Sequence, residues 1–401
     1  MEHIKKYRRS EIMIARYLFI AIAACMFIAV GCWQDNDNPM YGADNPDPNP
    51  PGTPAAVLTS VEPDSGYPGA SVVITGTGFN PVASENMVKI GTFVVDVTAA
   101  TATQLTVTAP SSSGMLDVMV APRGAEEWSN ALQFNLLSYI TEITNPEVVT
   151  IVDETIDWIN GVDQDDAGNV YVGSQLDGAI YKIDPALDQT LFASVPVAGA
   201  IHFGPEGYLY VCEQKDDKIV RISPDGTTIE DVVAVNNPVD FDWDADGNMY
   251  IIENQANIHI LPPGGSLSEV ASGLGSPKCL RIFEDYLYVT HVWSAKLTRF
   301  QITGNGLGPE EPYYTNNNPL GIEFDKKGVM YVTDAWQTTI FLYAPGGAAE
   351  ATIYEDELET PMHYMSFNGE YIYVVFPGWG GAGKVLRVYA GVEQAPRYGR
   401  Q

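Results

Sequence analysis

The residues with most to offer a ligand are three tryptophans that end one recurring phrase: His291-Val-Trp293, Asp334-Ala-Trp336 and Phe376-Pro-Gly-Trp379. An indole presents a broad apolar face and a single N–H. A sugar or a peptide offers the matching pair, an apolar face and polar edge groups. Asn236-Asn237 and Asn316-Asn317-Asn318 lie in nearby loops and would add amide hydrogen bonds. Trp293, Trp336, Trp379, His291, Asp334 and Asn317 therefore form the candidate ligand-binding set. The competing reading is that each tryptophan fills a gap between neighbouring elements.

Carboxylates make a second candidate. Asp163, His202, Asp242, Arg281, Glu323 and Met365 occupy equivalent places in a repeat, as do Ser174, Glu213, Glu253, His291, Asp334 and Phe376. A ring of such residues would hold a divalent cation, with Asp242, Glu323, Glu213 and Glu253 as ligands and calcium favoured by the all-oxygen set. A solvated channel with capped strand ends is the alternative. Asp242-Trp-Asp244-Ala-Asp246-Gly247-Asn248, with Glu253 in the twelfth place, also satisfies an EF-hand calcium pattern, but that loop needs helical flanks and here both flanks read as strands. A tight Asp-Gly turn is its ordinary reading. His202, His291 and His363 have no nucleophile paired with them, and neither a Gly-x-Ser-x-Gly elbow nor a His-Glu-x-x-His helix occurs.

What must position these residues is a repeated unit of strand, tight polar turn and aromatic-led strand. The tyrosine that opens the second strand recurs as Tyr171, Tyr210, Tyr250, Tyr288, Tyr331 and Tyr373, at spacings of 39, 40, 38, 43 and 42 residues. A period near 40 carrying only strand and turn signals indicates a β-propeller with one blade per repeat. A lone blade exposes two apolar faces, and a ring of six buries them all. The sixth repeat stops after Lys384–Tyr389 and lacks a fourth strand, so the strand at 147–154 is expected to complete it and remove the open edge. The clearest copy, Pro319-Leu-Gly-Ile-Glu-Phe-Asp-Lys-Lys-Gly-Val-Met-Tyr-Val-Thr-Asp334, resembles the repeats of NHL-type six-bladed propellers. That fold hosts both enzymes and inert scaffolds. Among its relatives the gluconolactonase-like enzymes hold a metal with one Glu, two Asn and one Asp, and asparagines do not stand at the matching strand positions here.

Ahead of the repeats, seven short alternating strands from Val57 to Leu137 argue an immunoglobulin-like sandwich: Val57–Val61, Val72–Gly76, Met87–Ile90, Phe93–Val97, Gln104–Thr108, Met115–Ala121 and Leu132–Phe134. Val61-Glu-Pro-Asp-Ser-Gly-Tyr-Pro-Gly69, then Val73-Ile-Thr-Gly-Thr-Gly-Phe79, resembles the opening of IPT/TIG domains, and Ser129-Asn130 with Phe134 resembles their end. In that phrase the glycines supply turns and Phe79 is expected to plug one end of the sandwich.

The N-terminus carries basic residues up to Arg16, an apolar run of 14 residues from Tyr17 to Val30, and then Gly31-Cys32. The run is short for a membrane span and suits a signal peptide. Ala29-Val30-Gly31-Cys32 resembles a bacterial lipobox, which implies cleavage before Cys32 and a lipid on that cysteine. The Pro-, Asn- and Asp-rich stretch that follows reads as a disordered tether. Cys212 and Cys279 fall in non-adjacent blades and read as small buried hydrophobes rather than a disulfide. Past residue 31 the chain holds 16 Lys/Arg against 49 Asp/Glu. So acidic a surface excludes nucleic acid as a partner and suits a soluble head outside the cell.

The expectation is an all-β protein: signal peptide 1–31, tether 32–56, IPT/TIG domain 57–137, six-bladed propeller 138–395 and polar tail 396–401. Its expected role is non-catalytic binding of an extracellular glycan or protein from the outer membrane, with the sandwich as spacer and no cofactor beyond a calcium ion in the channel. A metal-dependent hydrolase or lactonase, and a structural component of the cell envelope, are the alternatives.

Overall fold

The computed structural model describes residues 54–139, 147–253, 256–304, 306–314, 318–345, 349–354, 358, 362–378 and 382–400. Cys32 and the tether up to residue 53, together with Asn317 and Trp379, lie outside them. The chain divides after Ser138 into two compact all-β units.

The first unit is a sandwich of two sheets. One pairs Val57–Glu62, Ser71–Thr77, Gln104–Thr108 and Val97–Ala100; the other holds Ser65–Gly66, Leu132–Leu136, Gly114–Pro122, Asn86–Ile90 and Phe93–Val95. Alternation along each strand sends Val72, Ile74, Val88, Ile90, Leu105 and Val107 into the shared core. The stretch expected as one strand over 93–97 is two strands on different sheets: Val95 ends one, Val97 begins the other, and the chain crosses between sheets at Asp96. Phe79 is buried in the same core.

The second unit is a ring of six four-stranded antiparallel blades. Their innermost strands are Ile159–Gln164, Ala198–Phe203, Pro238–Trp243, Pro277–Phe283, Pro319–Phe324 and Met365–Asn368, for blades 1 to 6. Each packs on the next, and the sixth packs back on the first. These strands are almost wholly buried, polar residues included, as expected where a neighbour covers each face. The sixth blade takes its outermost strand from the start of the unit: Val148–Asp157 pairs with Ala382–Tyr389, from Val148↔Val388 to Asp157↔Ala382. Blade 4 inserts a small Gly306–Leu307 hairpin strand before its outer strand Glu311–Tyr314, which accounts for the longest repeat spacing.

The recurring tyrosine has a local task. Asp165 and Asp325, in the turns between first and second strands, accept backbone N–H bonds across the turn, from Ala167 and Asn169 and from Lys327 and Val329. Tyr171 and Tyr331 then donate their hydroxyls to the same carboxylates, at 3.1 and 3.3 Å. Asp244 caps its turn in the same way, through Asp246 N, Asn248 N and the Asn248 side chain. The EF-hand-like run is therefore a hairpin turn with a carboxylate cap. Blades approach so closely that a Cβ on Gly161 would lie 2.7 Å from the Gly199 carbonyl oxygen of the next blade.

Candidate functional site

Strand register separates the two sets of candidate residues. Asp163, His202, Asp242, Arg281 and Glu323 lie directly opposite the repeat tyrosines, one or two residues from the turn between first and second strands. Ser174, Glu213, Glu253, His291 and Asp334 pair with the opposite ends of the same inner strands. About four residues of strand, roughly 13 Å, lie between the two tiers. In blade 6 the residue opposite Tyr373 is Ser366, so Met365 is one position out of register.

At the turn end, the axial channel is an ion-pair network. Asp163, Asp240, Arg281, Glu323 and Ser366 are all buried. Arg281 bonds Glu323 at 3.0 Å and Asp240 at 3.3 Å, and His202 Nε2 meets Asp240 at 2.8 Å. The acids also reach across blades: Asp163, Asp240 and Asp242 accept the backbone N–H of Phe203, Leu280 and Ile282 at 2.7, 3.0 and 2.9 Å. Two further cations come from the tail. After Tyr389 the chain crosses this end of the ring, with Glu393–Ala395 hydrogen-bonded to Lys326, Gly369 and Phe324. It then inserts Arg397 against Asp163, Glu323 and Ser366, and Arg400 against Asp163. Gly399 lies flat on the Trp243 ring, where a Cβ would stand 2.4 Å from an indole carbon. Burial alone would raise the Asp163 pKa, but the charges of Arg400, Arg397 and His202 hold it well below the ordinary carboxylate range.

The four residues expected to hold a metal do not converge. Asp242 and Glu323 belong to the turn-end network, whereas Glu213 faces Lys218 at 3.5 Å and Glu253 lies against His259 at the other end. Among the described residues no three His, Cys, Asp or Glu side chains come together as a metal site. The donor set thus does not fit a catalytic cation: its inner carboxylates are already matched by Arg281, Arg397 and Arg400. Two clefts, of about 430 and 420 Å³, open at the turn end, one lined by Asp184, Tyr371 and Arg387 and the other by Phe203, Glu206 and Arg400.

The opposite end carries the aromatic site. Trp293 and Trp336 are 67% and 51% exposed, and their rings stand 6.0 Å apart at 49°. Large exposed indoles side by side leave much apolar surface in water. Trp293 sits at φ 66°, in the left-handed region that a bulky residue avoids. Two neighbours expected to touch ligand instead hold these turns from beneath. His291 is fully buried, with Nδ1 3.2 Å from the Gly275 carbonyl and Nε2 2.8 Å from Thr298 Oγ1. Asp334 is buried too, and accepts the backbone N–H of Trp336 at 2.7 Å and of Gln337 at 3.1 Å. Alternation explains both: they end strands, and their side chains turn inward while the tryptophans stand two residues on.

Residues overlooked in the sequence complete this end. Asn160 Nδ2 donates to Gln175 Oε1 at 2.7 Å, Gln175 to Gln214 at 3.3 Å, and Gln214 to the Pro238 carbonyl at 3.1 Å, an amide chain running from blade 1 to blade 3. Two glutamines directly after the second-strand ends were the available signal. Lys278 stands at the equivalent place on blade 4, its ammonium 4.9 Å from the centre of the Tyr364 ring.

Burial makes His291 titrate near 4 rather than near neutrality, with Lys296 adding to the depression. A folded-state pKa below the unfolded value means that the unfolded chain takes up the proton first as pH falls through about 6.5. His291 is thus expected to cost about 2–3 kcal/mol of stability between pH 7 and pH 4.5. Denaturant unfolding of the wild type and His291→Gln at both pH values checks this; equal pH dependence in the two proteins would refute it.

Comparison with known proteins agrees with this architecture. Residues 56–135 match the model of the IPT/TIG domain. A sequence search among curated proteins finds no match. Among solved structures, an auxiliary nutrient binding protein from Bacteroides ovatus is 15% identical with a TM-score of 0.52, covering 85% of this chain and 99% of its own. A gluconolactonase from Xanthomonas campestris is 16% identical with a TM-score of 0.53, covering 61% and 90%. A luciferin-regenerating enzyme is 16% identical with a TM-score of 0.55, covering 64% and 100%. At these identities the likeness is one of fold.

Proposed function

We propose that this chain is a lipid-anchored surface protein whose propeller recognises an extracellular ligand without transforming it, through the end that carries Trp293 and Trp336. The observation that carries the reading is the exposed indole pair, held 6.0 Å apart on turns braced by buried His291 and Asp334. Preorganised aromatic faces beside a polar amide chain suit a saccharide, whose ring faces stack while its hydroxyls bond. The fold shared over most of its length with an auxiliary nutrient binding protein is in keeping with this role. Anchoring rests on Ala29-Val30-Gly31-Cys32, and the IPT/TIG sandwich then serves as the spacer.

The test is tryptophan emission during titration with a panel of soluble saccharides. A ligand is expected to shift the emission to the blue and to shield the exposed indoles from iodide. Binding that leaves their accessibility unchanged would refute the assignment of the site. In cells, Cys32→Ser is expected to release the protein from the membrane fraction.

A further inference from the structure

Lys278 is a partly buried cation of this unit that stands over an aromatic ring. Arg281, Arg397 and Arg400 are matched by the channel carboxylates, and Lys218, Lys296, Lys326, Arg221, Arg299 and Arg387 pair with acids at the rim. Among the described residues no carboxylate lies within 4 Å of the Lys278 ammonium. Asp240, a channel acid whose charge reaches Lys278, has its oxygens engaged by His202, Leu280 N–H and Arg281. The Lys278 ammonium stands 4.9 Å from the centre of the Tyr364 ring, and the residue is half-buried. Cys212 and Cys279, also near it, are buried thiols that burial keeps protonated.

Its position is set by the fold. In blades 1 to 5 the inner strand carries a register irregularity just after its first residue, and this irregularity holds Asn160 in blade 1 and Lys278 in blade 4. In blade 2 it holds Gly199, on which the Gln214 amide rests. Pro277, just before Lys278, pairs with His291, and Ser276 accepts the Val292 N–H at 3.1 Å, so Lys278 lies at the base of the turn that lifts Trp293. One mouth of the axial channel therefore presents an unmatched ammonium, a chain of three amides and two exposed indoles.

We infer that this mouth binds a saccharide bearing a carboxylate, a uronic acid residue, with the carboxylate on Lys278, hydroxyls on Asn160, Gln175 and Gln214, and ring faces on Trp293 and Trp336. The inference rests on the recognition reading above. A neutral sugar leaves the half-buried ammonium without a counter-charge, whereas a carboxylate supplies a charge-assisted hydrogen bond there. Burial already lowers the Lys278 pKa, and a bound carboxylate reverses that by stabilising the charged form. The chain's strong negative charge repels a long polyanion, so the site takes a single uronate on an otherwise neutral saccharide.

The experiment uses calorimetric titration of the full-length protein with a glucuronate-terminated disaccharide, with the same disaccharide carboxyl-reduced to the alcohol, and with a glutamate-rich peptide. The proteins are wild type, Lys278→Met, Lys278→Arg and Trp336→Ala, each checked for unchanged thermal unfolding. The uronate is expected to bind about 10- to 100-fold more tightly than its reduced form. Lys278→Met should erase that difference and Lys278→Arg keep most of it. Equal affinity for acid and alcohol, or no effect of Lys278→Met, overturns the uronate inference while Trp336→Ala still reports on the aromatic site. Loss of neither ligand in Trp336→Ala overturns the recognition reading itself. Lys278-dependent binding of the peptide with none of the disaccharides assigns the site to a protein ligand and overturns the uronate.

Discussion

Arg397→Ala is expected to destabilise the propeller by about 3–5 kcal/mol, because it leaves buried carboxylates without the cation that matches them. The Arg397 guanidinium reaches Asp163, Glu323 and Ser366, so three strands from blades 1, 5 and 6 lose a common partner at once. Asp163 suffers most. Its other cations are Arg400, carried on the same tail, and the more distant His202, and without them burial pushes it toward the neutral form. Replacing the whole network by apolar residues is a different experiment and need not cost stability; removing one charge does. For a unit of this size the loss corresponds to a fall in Tm of roughly 10 °C. Differential scanning calorimetry of wild type, Arg397→Ala, Asp163→Asn and the double variant provides the check. The double variant should lose less than the sum of the two single ones, because each single change strands the partner of the other. A shift of under about 2 °C for Arg397→Ala would show that the tail is not seated in the channel.

The second large effect concerns ligand rather than stability. Trp293→Ala with Trp336→Ala is expected to weaken saccharide binding at least about 100-fold, since each indole sits where an interface concentrates its binding energy. The same double variant should unfold like wild type, because both rings face solvent and contribute little to the core. Affinity electrophoresis in ligand-containing gels, with calorimetry for soluble fragments, separates the two quantities. Retention of affinity within about threefold would move the site away from this face.

Comparing chain and structure shows which physics a single sequence exposes. The all-β class and the two architectures were legible because their signals are local: alternation within strands, and a tyrosine repeated every forty residues. Tyr171 and Tyr331 explain why that repeat is so visible, since each is tied by its hydroxyl to the carboxylate of its own turn, Asp165 or Asp325, a few residues away. The indole pair was legible for the same reason. The task of His291 and Asp334 was not, because being two residues from an exposed tryptophan says nothing of which way a side chain turns at a strand end. Hidden altogether were the links with no sequence proximity. Arg397 and Arg400 carry no period and read as a polar tail, yet they meet Asp163 more than 230 residues away. The acids that looked like ligands for a cation had cations of the chain's own to meet.

The way the sixth blade is built bears on how the molecule comes into being. Val148–Asp157 leaves the ribosome first among the propeller strands and finds its partner, Ala382–Tyr389, last. Holding the ends of so long an intervening segment together costs about 5 kcal/mol of chain entropy, which only a nearly complete ring repays. A chain cut short by a stop or a protease ahead of Ala382 would lack the closing partner and the arginines of the tail alike. It would also display an unpaired strand edge. Closure thus works as a test that synthesis has run through Tyr389, in which the earliest-made propeller strand waits for proof that its distant partner exists.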